Sequence, residues 1–229
     1  MTRPRVISLV PSVTETLLAW GVTPVACTRF CEQPDLPHVG GTKDPDVGAI
    51  VELRPDLVVL CVEENRREDA DALTEAGIAT AALSIDCVAD VAPALRMLAG
   101  LVGVDPRDVQ DVDGRPPVGE RLRAFIPVWK RPWMSLAGGT YGSSLLAAIG
   151  VDNVFADADD RYPTVTLEAA RARRPDMVLA PSEPYPFRER HVPLLAEVAP
   201  VVLVDGQDLF WWGVRTPAAA ERLRRQLWT

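Results

Sequence analysis

With 229 residues, 48% of them hydrophobic, the chain is long enough for one large domain or two small lobes with buried cores. A formal charge of -8, with Lys43 and Lys130 the only lysines, excludes a long phosphate-neutralising surface: nucleic acid is not a partner, and anions must be met by arginine forks or backbone amides. No apolar run approaches the ~20 residues needed to span a bilayer, so the chain is not membrane-spanning.

From the amino terminus the pattern predicts strand, turn, helix: Val6 to Leu9, a break at Pro11-Ser12, then Thr14 to Trp20 stopped by Gly21. No charged, apolar and small-residue signal order precedes this strand, and there is no lipid-acceptor cysteine. As written the chain therefore reads as cytoplasmic, and as extracytoplasmic if its true start lies upstream. A strand at Val25 to Cys27, a loop rich in Pro and Gly, a short helix ending at Arg54 and a strand at Leu57 to Val62 follow. Helix Arg66 to Ala76 and strand Thr80 to Leu83 complete the series. Strands alternating with helices predict a mostly parallel sheet. Apolar residues from Val88 to Val102 recur at helical spacing, with Pro93 in the first turn or kinking the helix. Residues 104–119, with four Asp and three Pro, read as an exposed connector.

An internal repeat is the most informative feature. Ala49 to Glu63 has a counterpart in Ala169 to Glu183, each reading as helix, Arg-Pro-Asp turn, buried strand and glutamate. Upstream, Leu17 to Val22 is echoed by Leu145 to Val151; the strand before that second copy is ambiguous between Ala124 to Trp129 and Met134 to Ala137. The expected architecture is therefore α/β: two similar lobes with parallel-type sheets flanked by helices. Its parts are an amino-terminal lobe at 1–87, a bridging helix and connector at 88–118 and a carboxyl-terminal lobe at 119–229. A ligand cleft is expected between the lobes, beyond the carboxyl ends of the strands.

Residues after the strands are the candidate ligand contacts: Ser12, Phe30, Lys43, Glu63, Asn65, Trp133, Tyr141, Tyr162, Glu183, Tyr185, Trp211 and Trp212. Nine of the 14 aromatic residues lie in such loops or around Tyr162, which points to a flat apolar ligand. The expected walls are an aromatic one from the carboxyl-terminal lobe and a polar one from the other. Gly138 to Ser144 reads as a glycine-rich turn with a Ser/Thr helix cap rather than an anion loop. Cys27, Cys31, Cys61 and Cys87 read as buried thiols, and with two histidines, His38 and His191, no metal cage of protein ligands is expected. No nucleophile elbow or Ser-His pairing is present, so the chain reads as a non-enzyme with no cofactor of its own.

At Arg5 to Gly21, Val39 to Asp46, Arg54 to Leu60, Glu63 to Arg66, Trp129 to Met134, Tyr162-Pro163, Arg174 to Leu179 and Pro181 to Phe187 the chain resembles a known family. It is similar to the helical-backbone substrate-binding proteins of ABC importers for cobalamin, haem and ferric siderophores. The resemblance implies a monomer that holds a small-molecule metal chelate with little hinge bending and docks on an ABC permease. It places Ser12 and Lys43 at cleft loops and Glu68 and Glu189 near the docking acids. A corrinoid stands ahead of a ferric siderophore as ligand. The alternatives are a cytoplasmic corrinoid or haem carrier or sensor, and a chelatase-like enzyme using Glu63, Glu183 or Lys43 as proton acceptor.

Overall fold

The computed structural model describes residues 3–105, 109–110 and 119–228. The chain divides into two compact units. The first holds the described parts of 1–85, 90–111 and 212–214; the second holds those of 86–89, 112–211 and 215–229. Most of the connector expected at 104–119, namely 106–108 and 111–118, lies outside the described residues.

In the first unit, β1 (Val6–Ser8), β2 (Ala26–Cys27), β3 (Leu57–Cys61) and β4 (Thr80–Leu83) form one sheet in the order β2-β1-β3-β4, with parallel pairing throughout. Ile7 lies opposite Ala26 and Val58, and every residue of β1 and β3 is buried, so both read as continuous apolar runs rather than alternating ones. Helices α1 (Pro11–Ala19), α2 (Val47–Leu53) and α3 (Arg67–Glu75) make the crossovers, and Ile50 and Leu73 bury their side chains with Ile7, Val58 and Leu60. Pro11 does not break the chain, as the sequence suggested. It occupies the first turn of α1, where a missing N–H costs nothing and a fixed φ suits the helix. The helix α4 (Val88–Val102) buries Val88, Val91, Ala92, Leu95, Leu98, Ala99 and Val102, the face its periodicity predicts. Its first two residues group with the second unit and the rest with the first. Pro93 lies inside α4, past its first turn, contrary to one of the two placements expected, and the ladder bond its N–H would donate is missing.

The second unit repeats the plan. Strands β5 (Leu122–Phe125), β8 (Val151–Asn153), β9 (Met177–Pro181) and β10 (Val201–Val204) pair in parallel in the order β8-β5-β9-β10, matching β2-β1-β3-β4 position for position. Helices α5 (Tyr141–Ala148) and α6 (Leu167–Ala172) correspond to α1 and α2. A 3-10 turn (Glu189–His191) leading into α7 (Val192–Leu195) takes the place of α3, and α8 (Gly206–Phe210) and α9 (Thr216–Leu227) close the chain. The ambiguous strand resolves to β5. An antiparallel hairpin, β6 (Pro127–Lys130) with β7 (Trp133–Ser135), is inserted between it and α5, so each candidate run had caught part of something real.

The repeat extends to hydrogen bonds. Arg5 donates its backbone N–H to Asp56 at 2.7 Å and its guanidinium to the carbonyls of Leu53 and Arg54 at 2.8 and 3.3 Å. Arg123 does the same to Asp176, Arg173 and Arg174 at 2.7, 2.8 and 3.4 Å. Arg54 and Arg174 both turn left-handed, with φ of 45° and 52°, just before the proline of their Arg-Pro-Asp turns. A non-glycine residue there costs roughly 1–3 kcal/mol, and the clamp from the neighbouring strand offsets part of that. One device thus joins helix end to sheet edge twice.

Candidate functional site

In the first unit the loops at the carboxyl ends of the strands are pinned to one another. Leu9 N–H to Val59 O is the last link from the β1 side, so the amide of Cys61 runs past the end of β1; Asn65 meets it, its Oδ1 accepting at 2.8 Å. The Asn65 Nδ2 then donates to Thr42 O at 2.9 Å and Leu9 O at 3.2 Å. Lys43, exposed, donates to Glu63 O at 2.8 Å, a second tie between the same loops. Asn65, expected as a ligand contact, is therefore buried, and its amide is spent on the scaffold. Ser12 is likewise buried, in the first turn of α1. Phe30 is half exposed, with Arg29 at 4.7 Å over its ring and paired to Asp44 at 3.0 Å.

Beside Phe30, the Thr14 hydroxyl donates to the Cys31 sulfur at 3.2 Å, and the Thr28 hydroxyl shares a hydrogen bond with it at the same distance. The nearness of the two thiols draws Cys31 down against the opposing effect of burial and pushes Cys27 up. Burial raises Cys61 to about 12. Cys27, Cys31 and Cys61 are buried thiols as expected; Cys87 is only partly buried.

In the second unit the corresponding loops carry a ring cluster. Trp133 stacks on Phe187 at 6.1 Å with the planes 6° apart, Tyr185 tilts against Phe187 at 4.8 Å, and Trp129 stands edge-on to Tyr185 at 5.6 Å. His191 lies under Tyr185 and Phe187. Its Nδ1 accepts from Arg188 N–H at 3.0 Å, and burial, then Arg190, Lys130 and Arg188, holds it below the usual imidazole range, so it is neutral near pH 7. Phe187 is buried among Phe125, Phe155 and Leu195, whereas Trp129 is 43% exposed. Trp129 was missing from the expected contacts because it was counted as strand; a strand residue of a short hairpin still faces solvent on one side. Tyr162 is 40% exposed, on a segment tied to the hairpin by Ser135 N–H to Pro163 O and Ala137 N–H to Arg161 O.

Trp211 caps α8 and donates Nε1 to the Glu183 carboxylate at 2.6 Å, with the Arg215 guanidinium 5.3 Å over its ring. Gly206 packs directly on Glu183 and donates its N–H to Ser182 Oγ at 2.9 Å. Glu63 and Glu183 both stand two residues past the third strand of their sheets, as the repeat predicts. Glu68 and Glu189 are exposed, each in the first turn of the element that follows.

Three expectations need correction. Tyr141 is no lining residue: it opens α5, is 4% exposed, and hydrogen-bonds Thr216 Oγ1 at 3.0 Å, with burial pushing its phenol up. Trp212 is buried and groups with the first unit, not with the carboxyl-terminal one; beside it Val214 N–H reaches Thr16 Oγ1 at 3.4 Å. At α5 the cap position falls to Thr140, but its hydroxyl donates to Ala137 O at 2.7 Å instead of accepting from the helix.

A cavity of about 470 Å³ in the second unit, lined by Cys87, Arg123, Ser143, Ser144, Asp152 and Asn153 among others, includes none of the clustered rings. Its charged groups are engaged elsewhere, Asp152 with Arg121 at 2.6 Å and Arg123 in its clamp, so the ring-bearing loops are the better candidate. Among the described residues no group of three or more His, Cys, Asp or Glu is placed to hold a metal ion, and no helix is long and apolar enough to cross a membrane.

Residues 6–113 match the periplasmic binding protein family. The vitamin B12-binding protein of Salmonella choleraesuis is 27% identical over 191 residues, covering 77% of this chain and 71% of that protein; its namesake from Vibrio cholerae is 25% identical over 190 residues, covering 76% and 69%. Among solved structures, the periplasmic vitamin B12-binding protein BtuF of Vibrio cholerae superposes with a TM-score of 0.79 at 21% identity, covering 98% of this chain and 97% of that one. The periplasmic heme-binding protein BhuT does so at 0.80 and 24%, with the same coverage. At those identities the superpositions establish the fold.

Proposed function

We propose that the chain is a helical-backbone substrate-binding protein, a non-enzymatic receptor for a flat, metal-bearing macrocycle, a corrinoid before a haem or ferric siderophore. The observation that carries this reading is the ring cluster at the carboxyl end of the second sheet, with Trp129 at its exposed edge and Tyr162 exposed on the adjoining segment. A conjugated ring laid on such side chains gains area burial and roughly 0.5–1.5 kcal/mol more per good aromatic contact. A polyanionic siderophore asks instead for unneutralised cations; in the first unit Arg29 pairs with Asp44, Arg66 with Asp69, and Lys43 caps a carbonyl, while Lys130, Arg188 and Arg190 stand near His191 beneath the rings, so the preference for a corrinoid rests on the rings and not on a want of cations. Of the three groups that a chelatase reading offers, two are similarly occupied, Glu183 by Trp211 and Lys43 by Glu63 O.

The word periplasmic in the name of the Vibrio cholerae structure supports an extracytoplasmic receptor; docking on an ABC permease is what the family resemblance implies, with Glu68 and Glu189 as the exposed acids that would meet it. Titrating purified protein with cobalamin, haem and a ferric siderophore while following tryptophan fluorescence tests the reading; binding of none of the three sinks it.

A further inference from the structure

His191 is buried at the end of the 3-10 turn, and each of its ring nitrogens meets a donor. Nδ1 accepts the Arg188 N–H at 3.0 Å, so the neutral ring carries its proton on Nε2, which lies 3.3 Å from Arg190 Nε. The contact at Nε2 yields easily, because Arg190 is exposed and its side chain swings aside. The one at Nδ1 does not, because its donor is the backbone amide at the start of the turn. A second proton on the ring goes to Nδ1 and sets N–H against N–H there. The charged groups acting on the ring are all positive, Lys130 from β6 and Arg188 and Arg190 from its own turn, while Glu189 on that turn is exposed. Tyr185, from the loop after β9, faces it with a phenol that does not ionise below about pH 8. No carboxylate pairs with His191 among the described residues. An imidazolium in this place has neither an acceptor for its new proton nor a counter-charge.

What His191 supports gives its titration a consequence. Its ring packs on Tyr185 at 5.5 Å and on Phe187 at 5.6 Å, and these two hold Trp129 and Trp133. We propose that His191 is an acid-operated latch beneath the ring surface: protonated on Nδ1 it loses the Arg188 amide, the turn opens, and Tyr185 and Phe187 shift, taking the face they share with Trp129 and Trp133 apart. Resting on the reading of that face as the ligand surface, the latch releases in mild acid a macrocycle held at neutral pH. The sign follows from linkage. A histidine whose protonated form the fold disfavours binds its proton more weakly than in the unfolded chain, so the cluster is intact above the usual ~6.5 and loosens as pH falls below it. His38, the other histidine, provides the contrast: it is exposed, and its Nε2 donates to Gln33 O at 3.0 Å, so a second proton breaks nothing there.

The ligand-free full chain is titrated from about pH 7.5 to about pH 5 while tryptophan emission and the ring-proton resonances of the two histidines are followed. The resonance missing from His38→Asn is that of His38, which assigns the other without any change at His191. The expected result is a His191 resonance that titrates below about 6.5 with the same midpoint as a change in emission. His191→Asn, which keeps an acceptor for the Arg188 amide but cannot titrate, should abolish that change. Cobalamin, whose own charge is constant over this range, should bind the wild type at least about tenfold more weakly at the acid end, and His191→Asn equally at both ends. A His191 resonance that stays still down to about pH 5, or that titrates with no change in emission, overturns the latch, as does a pH dependence that His191→Asn retains. Failure of cobalamin to bind at neutral pH counts instead against the ligand reading, and the ligand-free titration still decides the latch.

Discussion

Asn65→Ala isolates how the first unit's loops are held. The side chain makes hydrogen bonds of 2.8, 2.9 and 3.2 Å to Cys61 N, Thr42 O and Leu9 O. At roughly 0.5–1.5 kcal/mol net for each, with the buried Cys61 amide left unmet, the variant should lose about 2–4 kcal/mol of stability. With a urea dependence of about 1–3 kcal/mol per molar, the unfolding midpoint should fall by about 1–2 M, read by tryptophan fluorescence. Asn65→Asp sharpens the test: its carboxylate still accepts from Cys61 N but faces two carbonyl oxygens, so its folded pKa would be raised above the unfolded ~3.9. Its stability should therefore approach the wild type's at low pH and fall away as pH rises past that value, the reverse of an ordinary paired aspartate. A midpoint shift under about 0.3 M for Asn65→Ala, or a pH-independent penalty for Asn65→Asp, would refute the reasoning.

Gly206→Ala should destabilise the second unit by roughly 1–3 kcal/mol, since an added Cβ would meet the Cγ of Glu183 and, at 2.6 Å, its backbone nitrogen. It should also shift Trp211 emission as Glu183 moves from the indole; unchanged emission with unchanged stability would contradict that packing. Arg5→Ala and Arg123→Ala should each cost about 1 kcal/mol, because the clamps they serve are equivalent and solvent-accessible. Urea unfolding in which one variant is silent and the other severe would show that the repeat is one of shape only.

Much of this was legible because the Arg-Pro-Asp turns have a job that few residue types can do. The proline ends the helix, the aspartate takes the amide of a neighbouring strand, and the burial of β3 and β9 forces apolar runs after them. The β6-β7 hairpin was blurred because Phe125-Ile126-Pro127-Val128 is buried straight through from one sheet to another element, giving periodicity no boundary. Candidate contacts were harder to judge than strands. Asn65 and Tyr141 lie where strand-end contacts should, but only hydrogen-bond geometry shows that their polar atoms are spent within the fold. The Thr14-Thr28-Cys31 cluster had no sequence signal beyond a four-residue cysteine spacing, because Thr14 joins it from α1.

The central claim, an aromatic surface for a conjugated macrocycle, is tested most directly by the dissociation constants of cobalamin and haem for the wild type, Trp129→Ala and Trp133→Ala. The account predicts saturable quenching in the wild type and about three- to tenfold weaker binding for Trp129→Ala, whose ring stands exposed at the cluster edge. Trp133→Ala should also lower stability, because its ring stacks on the buried Phe187. Failure of both ligands to bind the wild type, or a Trp129→Ala variant that binds as tightly, would contradict it.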